Sequence, residues 1–204
     1  MRRHGLFARI RETRNQVVAY FEAPPHNQQA TILLLIDVRH SSGDPMTDDS
    51  RTELADRIER SIVIQAPRAK VWRLLSDAEN FGRWFGADLK GQRFTPGEVT
   101  RGPITIEGFT HVMFDVRVER VEPQDLLSWR WHPYAVDPEV DYSQEEPTLV
   151  TWTLHDAPGN ATLVKTVESG FDKVPPHRRL EAFRMNTGGW KEQLDNVRRH
   201  AEQG

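Results

Sequence analysis

The stretch Arg57-Ile58-Glu59-Arg60-Ser61-Ile62-Val63-Ile64-Gln65-Ala66-Pro67, together with the helical pattern directly after it, decides the fold. Ile58, Ile62 and Ile64 recur at period two, which predicts a strand over 57–65 with one apolar face. Ala66-Pro67 ends the strand, and a proline suits the first turn of a helix. Val71, Leu74 and Leu75 then recur at helical spacing with Trp72 beside them. Asp77 is placed to cap a second short helix in which Phe81, Trp84 and Phe85 share a face. A strand followed at once by two short helices is a distinctive opening.

Downstream the period changes to two and stays there. After the turn signal Thr95-Pro96-Gly97-Glu98, a strand is predicted over 99–106. Over 110–121, Val112, Phe114, Val116 and Val118 alternate with His111, Asp115, Arg117 and Glu119, the pattern of a half-buried antiparallel strand. Leu127, Trp129 and Trp131 then face one way, and Ser128, Arg130 and His132 the other. Residues 133–147 are rich in Pro, Asp and Glu and read as a long loop. Val150, Trp152 and Leu154 share a face in the next strand, and Ala157-Pro158-Gly159-Asn160 turns into a last strand over 161–168. A long helix is predicted over 177–201, with the apolar stripe Leu180, Phe183, Thr187, Trp190, Leu194 and Val197. Its Gly188-Gly189 pair costs roughly 1 kcal/mol per glycine against alanine, which implies a close backbone approach or a bend. The order is one strand, two short helices, a run of strands and a long helix, with strands and helices segregated. The fold class is therefore α+β rather than parallel α/β.

Composition bounds the chemistry. The chain has 204 residues, 37% of them hydrophobic and 28% charged, ordinary values for a globular protein. It has no cysteine, so disulfides, thiolate metal sites, iron–sulfur clusters and thiol catalysis are excluded together. That fits a reducing compartment, and a cytoplasmic location is expected. The net charge of −3 supplies no global reason for nucleic-acid binding. The longest apolar run, residues 32–36, is far short of the roughly 20 residues a membrane span needs.

Residues 1–45 differ from the rest, with six arginines against four acidic residues, while residues 46–204 carry 21 basic and 26 acidic ones. A secretory signal does not fit, because the apolar run comes late and Asp37 and Arg39 follow it. An Arg-rich transit peptide over 1–20 competes with a leader of no structural consequence and a true start at Met46, and the second is the expectation. No packed domain is expected within residues 1–50, although 5–21 could form an isolated helix. The patterned domain spans 55–202.

The ordered set of motifs resembles the helix-grip fold of the START and Bet v 1-like (SRPBCC) superfamily, in the branch like the C-terminal domain of the Hsp90 ATPase activator. The pieces are Glu59 to Pro67 with Val71-Trp72, Phe81-Gly82-Arg83-Trp84-Phe85, Val121-Glu122-Pro123, Leu127-Ser128-Trp129-Arg130-Trp131, Thr166-Val167-Glu168-Ser169-Gly170-Phe171, and Gly188-Gly189-Trp190 with Leu194. The resemblance implies a curved antiparallel sheet of about six to seven strands around the long C-terminal helix, with a cavity between them roofed in part by the short helices. Members of the superfamily include lipid carriers, hormone receptors, polyketide cyclases and cochaperone domains, so the fold does not fix the function. Bacterial relatives labelled as vanillate demethylase reductases imply an iron–sulfur cluster and a nucleotide site. Absence of cysteine and of a G-x-G-x-x-G pattern argues against both here.

Six tryptophans carry the functional question: Trp72, Trp84, Trp129, Trp131, Trp152 and Trp190. Strand parity and helix spacing turn Phe114, Trp129, Trp131, Trp152, Phe183 and Trp190 toward one space, with Trp84 at its rim. That space reads either as plain core or as an aromatic ligand cavity. Glu168 and Arg184 form the expected polar pair inside it, since a buried charge needs a partner. His132 is expected as a surface or loop-anchoring residue, and the basic run Arg178-Arg179 as a solvated helix end. No helical pair of histidines and no H-E-x-x-H motif exists, so no metal is expected. No cofactor and no catalytic residue is assigned. The expected partner is a small apolar or aromatic molecule. The alternatives are a protein-interaction module, with an Hsp90-like chaperone implied by resemblance alone, and a cyclase-like enzyme.

Overall fold

The computed structural model describes residues 8–13, 16–21, 33–37 and 56–203, which fall into two compact units divided near residue 51. In the first unit, β1 (Ala8–Thr13), β2 (Gln16–Phe21) and β3 (Leu33–Asp37) form an antiparallel sheet in that order. This corrects the isolated helix allowed over 5–21. The run Gln16-Val17-Val18-Ala19-Tyr20-Phe21 is dominated by β-branched and aromatic residues, which favour strands. The proposed start at Met46 lies outside the described residues.

The second unit opens as the sequence predicts. Strand β4 (Arg57–Ile64) is followed by α1 (Arg68–Ser76) and α2 (Ala78–Phe85). Asp77 caps α2 by accepting a hydrogen bond from the Asn80 amide at 2.9 Å. The indole of Trp84 donates to the Leu74 carbonyl at 2.8 Å, tying α2 to α1. Gly82 is required by close approach, because a Cβ there would sit 2.3 Å from the Ala87 carbonyl oxygen.

Five further strands complete the sheet: β5 (Val99–Pro103), β6 (Met113–Glu122), β7 (Leu126–Trp131), β8 (Thr148–Ala157) and β9 (Ala161–Ser169). With β4 they make one antiparallel sheet in the order β4-β9-β8-β7-β6-β5. The long helix α3 (Pro176–Glu202) packs against β4, α1 and α2. The architecture is the α+β helix grip. On the outward face, Arg101 pairs with Asp115 at 3.1 Å and Arg130 with Glu119 at 2.9 Å, the cross-strand ion pairs expected from alternating charge. Such exposed pairs contribute at most about 1 kcal/mol each.

The core lies under α1 and α2. Phe81 is its hub, with the rings of Trp84, Phe85, Phe94, Phe114 and Trp129 centred 4.5 to 5.6 Å away. Val116, Val118, Leu127, Val150 and Leu154 fill the sheet side, as their parity requires. The α3 stripe holds for Trp190, Leu194 and Val197, which are buried. It fails at Leu180, which is 41% exposed. Neither Gly188 nor Gly189 is closely approached: an added Cβ would meet nothing within 4 Å at either. The close approach expected at this pair is therefore absent.

Candidate functional site

A cavity of about 620 Å³ lies between the sheet and α3. Phe85 at the end of α2, Phe114 on β6, Trp131 at the end of β7 and Trp190 on α3 supply its aromatic walls. The loop over 134–143 closes another side with Tyr134, Val136, Val140 and Tyr142. Asn186, Gly189 and Gln193 complete the α3 wall. Gly189 is thus explained by the open space beside it: any side chain there would enter the cavity.

Behind the tryptophan walls sits Glu168, fully buried. Parity on β9 turns it inward with Val164 and Thr166. Three adjacent strands converge here, for Trp131 pairs with Thr148 and Val150 with Glu168. Asn186 and Trp190 descend from α3, four residues apart and so on one face. The carboxyl oxygen Oε1 accepts from Trp131 Nε1 at 2.8 Å, Thr148 Oγ1 at 2.7 Å and Asn186 Nδ2 at 3.1 Å. Oxygen Oε2 accepts from Asn186 Nδ2 at 2.9 Å and Trp190 Nε1 at 2.6 Å. Every donor is neutral. Burial pushes the Glu168 carboxyl above its ordinary value, while the bonds from Thr148, Trp131, Asn186 and Trp190 pull the other way.

The expected partner of Glu168 is corrected. Arg184 is exposed on α3, and the carboxyl is held by indoles, an amide and a hydroxyl instead. Helix spacing explains this: residue 184 lies on the side of α3 opposite the inward row that carries Asn186 and Trp190. Thr187, on the predicted stripe, turns its hydroxyl to the Phe183 carbonyl at 2.6 Å and takes no part.

The aromatic set divides. Phe114, Trp131 and Trp190 line the cavity, with the rings of Trp131 and Trp190 centred 5.4 Å apart. Trp84, Trp129 and Trp152 do not; they are packed into the core, where Trp129 and Trp152 lie 6.4 Å apart. Among the described residues neither Trp129 Nε1 nor Trp152 Nε1 has a hydrogen-bond partner. Phe183 is half-buried against Phe171 at 5.1 Å and is not on the cavity wall. Parity separates inward from outward residues, but it does not show which part of the inward face α1 and α2 fill.

The loop over 133–147 is held by a contact that sequence spacing does not reveal. Arg178, in the first turn of α3, forms an ion pair with Glu145 in which each side chain is only 12% exposed. Its Nε lies 2.9 and 2.7 Å from the two Glu145 oxygens, and its Nη1 donates to the Pro133 carbonyl at 2.7 Å. The guanidinium also lies 4.8 Å from the centre of the Tyr142 ring. The reading of Arg178 as a solvated helix end is therefore corrected. His132 anchors the same loop, its Nε2 lying 3.1 Å from the Glu145 carbonyl oxygen. Among the described residues no group of His, Asp and Glu gathers in a way that could hold a metal ion.

The model of the family described as Activator of Hsp90 ATPase homolog 1-like protein matches residues 65–202. The chain belongs to that family. Of the solved structures, DynU16 from the dynemicin biosynthetic locus is 26% identical, with a TM-score of 0.55 over 73% of this chain. The match spans 48% of DynU16, about half its length. Protein MLL2253 from Mesorhizobium loti is 23% identical, with a TM-score of 0.56 over 72% of this chain and 97% of that one. A protein from Arthrobacter aurescens has a TM-score of 0.58 at 16% identity, over 74% and 88% of the two chains. The last two establish likeness of fold. No curated protein matches the sequence. Among the described residues no helix is long and apolar enough to cross a membrane.

Proposed function

We propose that this family member binds a small apolar or aromatic molecule in the cavity between α3 and the sheet. The observation that carries the reading is the pair Trp131 and Trp190. Both indoles turn their N–H inward to Glu168 and line the cavity with the rest of the ring. Their polar atoms are satisfied from behind, so the wall they make is apolar. A volume of about 620 Å³ falls within the roughly 300–1,000 Å³ of small-molecule sites. The likeness to DynU16, from a biosynthetic locus, is compatible with such a ligand. Glu168 is a positioning residue in this reading. It is absent from the cavity lining and both its oxygens are occupied, so a proton-transfer role toward a bound molecule has no support.

Tryptophan emission tests the proposal, because two of the six indoles form the wall. A panel of phenolics, polyketides and lipids should contain members that change emission and raise the melting temperature. Gly189→Leu places a side chain in the open space and should abolish both effects while leaving the protein folded. A panel that moves neither quantity in the unmodified protein would refute the reading.

A protein-interaction reading draws on a different observation. Ile106, Phe109 and Met113, on and beside the β5–β6 connection, are exposed apolar side chains. An Hsp90-like chaperone is the partner the family name suggests. Binding to such a chaperone that survives Gly189→Leu and is lost with Phe109→Ser would favour this second reading.

A further inference from the structure

One polar group on the cavity wall has its direction fixed from behind. Asn186 lines the cavity, and its Nδ2 donates to both carboxyl oxygens of Glu168 at 3.1 and 2.9 Å. A side-chain amide donates on one side and accepts on the other. The same oxygens of Glu168 already accept from two indoles and the Thr148 hydroxyl. Turning the amide over would set Asn186 Oδ1 against these acceptor oxygens and break two hydrogen bonds. Burial makes that error costly. Nδ2 is therefore committed inward, and Oδ1 is the polar atom of Asn186 left for the cavity. No described residue hydrogen-bonds to it.

Asn186 shares the wall with the hydroxyls of Tyr134, Tyr142 and Ser143, and with one other amide and several charged groups. Gln193, the second amide, donates to the Phe85 carbonyl at 3.2 Å and accepts from Asn196 at 3.2 Å. Arg101 and Asp115, the pair on the outward sheet face, also reach the lining, with Arg101 Nε 3.1 Å from the Asp115 carboxylate. Asp137 and Asp141 add negative charge on the loop side, each capping a backbone amide at 2.9 Å. His111 and His132 are the remaining basic groups, and His132 is engaged with the Glu145 carbonyl. The wall thus presents an oriented acceptor and an excess of carboxylates.

We infer that Asn186 determines specificity, and that the ligand is an aromatic molecule carrying a neutral or cationic hydrogen-bond donor, of the phenol or aryl-amine class. The donor bonds to Asn186 Oδ1 while the ring lies against Trp131 and Trp190. Aryl carboxylates are selected against. The inference rests on the cavity-binding reading above and goes beyond it by naming the ligand class.

Equilibrium dialysis of the full chain at neutral pH with 2-naphthol, 2-methoxynaphthalene and 2-naphthoate tests it on one ring system. The naphthol should bind about tenfold more tightly than its methyl ether, the ratio expected for one hydrogen bond, and the naphthoate most weakly. Asn186→Leu should bring the naphthol down to the affinity of the ether and leave the ether unchanged. Should that variant not fold, the comparison on the unmodified protein decides alone. Equal binding of naphthol and ether, or tightest binding of the naphthoate, would overturn the assignment and leave the cavity reading intact. Failure of all three to bind, with no response from the wider panel, would overturn the cavity reading and this inference with it.

Discussion

The indole nitrogen of Trp190 lies 2.6 Å from Oε2 of Glu168, so a ring on the cavity wall is hydrogen-bonded to a fully buried carboxyl. Trp152, whose ring is centred 5.7 Å from that of Trp190, has no partner for its own N–H among the described residues. Two neighbouring tryptophans of equal size therefore differ by one hydrogen bond to an acid. Trp190→Phe should destabilise the fold by about 1–3 kcal/mol more than Trp152→Phe, the range for leaving a buried acceptor without its donor. Urea unfolding of the two variants measures the difference, and equal losses would show that the Glu168 bond contributes nothing.

Glu168 also predicts a pH dependence whose sign comes from its environment. Burial raises its pKa in the folded state above the ordinary 4.5. Between 4.5 and the raised value the folded protein binds more protons than the unfolded chain. Stability from this group is therefore full below pH 4.5 and is lost as pH rises through the folded-state pKa. Asp56, Glu59 and Asp141 run the opposite way, because hydrogen bonds lower theirs, and they act at more acidic pH. Glu168→Gln removes the titration, although its amide leaves one donor facing an N–H. The unfolding free energy of the parent minus that of the variant should fall as pH rises above 4.5. A flat or rising difference would contradict the raised pKa.

Whatever the two periodicities control is legible in the chain itself. Ile58 to Phe85 announces the strand and the two short helices, and Val116 and Val118 announce the inward face of β6, because local spacing decides both. Parity alone places Glu168 inward. Its partners are not readable in this way, because Thr148 lies 20 residues before it and Asn186 18 residues after it, and they meet only through strand register and helix docking. Arg184 is the cation expected to point into the cavity beside it, but a carboxyl surrounded by four neutral donors needs none. The same limit hides the separation of Trp129 and Trp152 from Trp131. All three face inward, and only the placement of α2 decides which are covered.

Residues 52–204 contain the helix-grip unit, and the family match lies wholly within it. We propose that this unit folds without the first. A chain beginning at Met46 should unfold at the same temperature and the same urea midpoint as the full chain. A fall of more than a few degrees would show that the first unit supports the second.

Arg178 and Glu145 tie a cavity-lining loop to α3. The pair joins the first turn of α3 to the loop over 133–147, and that loop carries the cavity residues Tyr134, Val136 and Val140. Arg178 also donates to the Pro133 carbonyl and covers the Tyr142 ring. Removing its charge strands a carboxylate that is only 12% exposed, a change that costs about 3–5 kcal/mol where the partner stays buried. A loop can answer by opening and letting Glu145 reach water, so the cost appears locally rather than across the domain. Arg178→Met should therefore speed amide exchange over residues 133–147 severalfold while β8 and β9 keep their protection. A bound aromatic molecule should also leave faster, since the wall formed by Tyr134 and Val140 is no longer tied down. Unchanged exchange in that loop, with a lowered global stability, would instead make the pair a support of α3 and no part of the cavity's entrance.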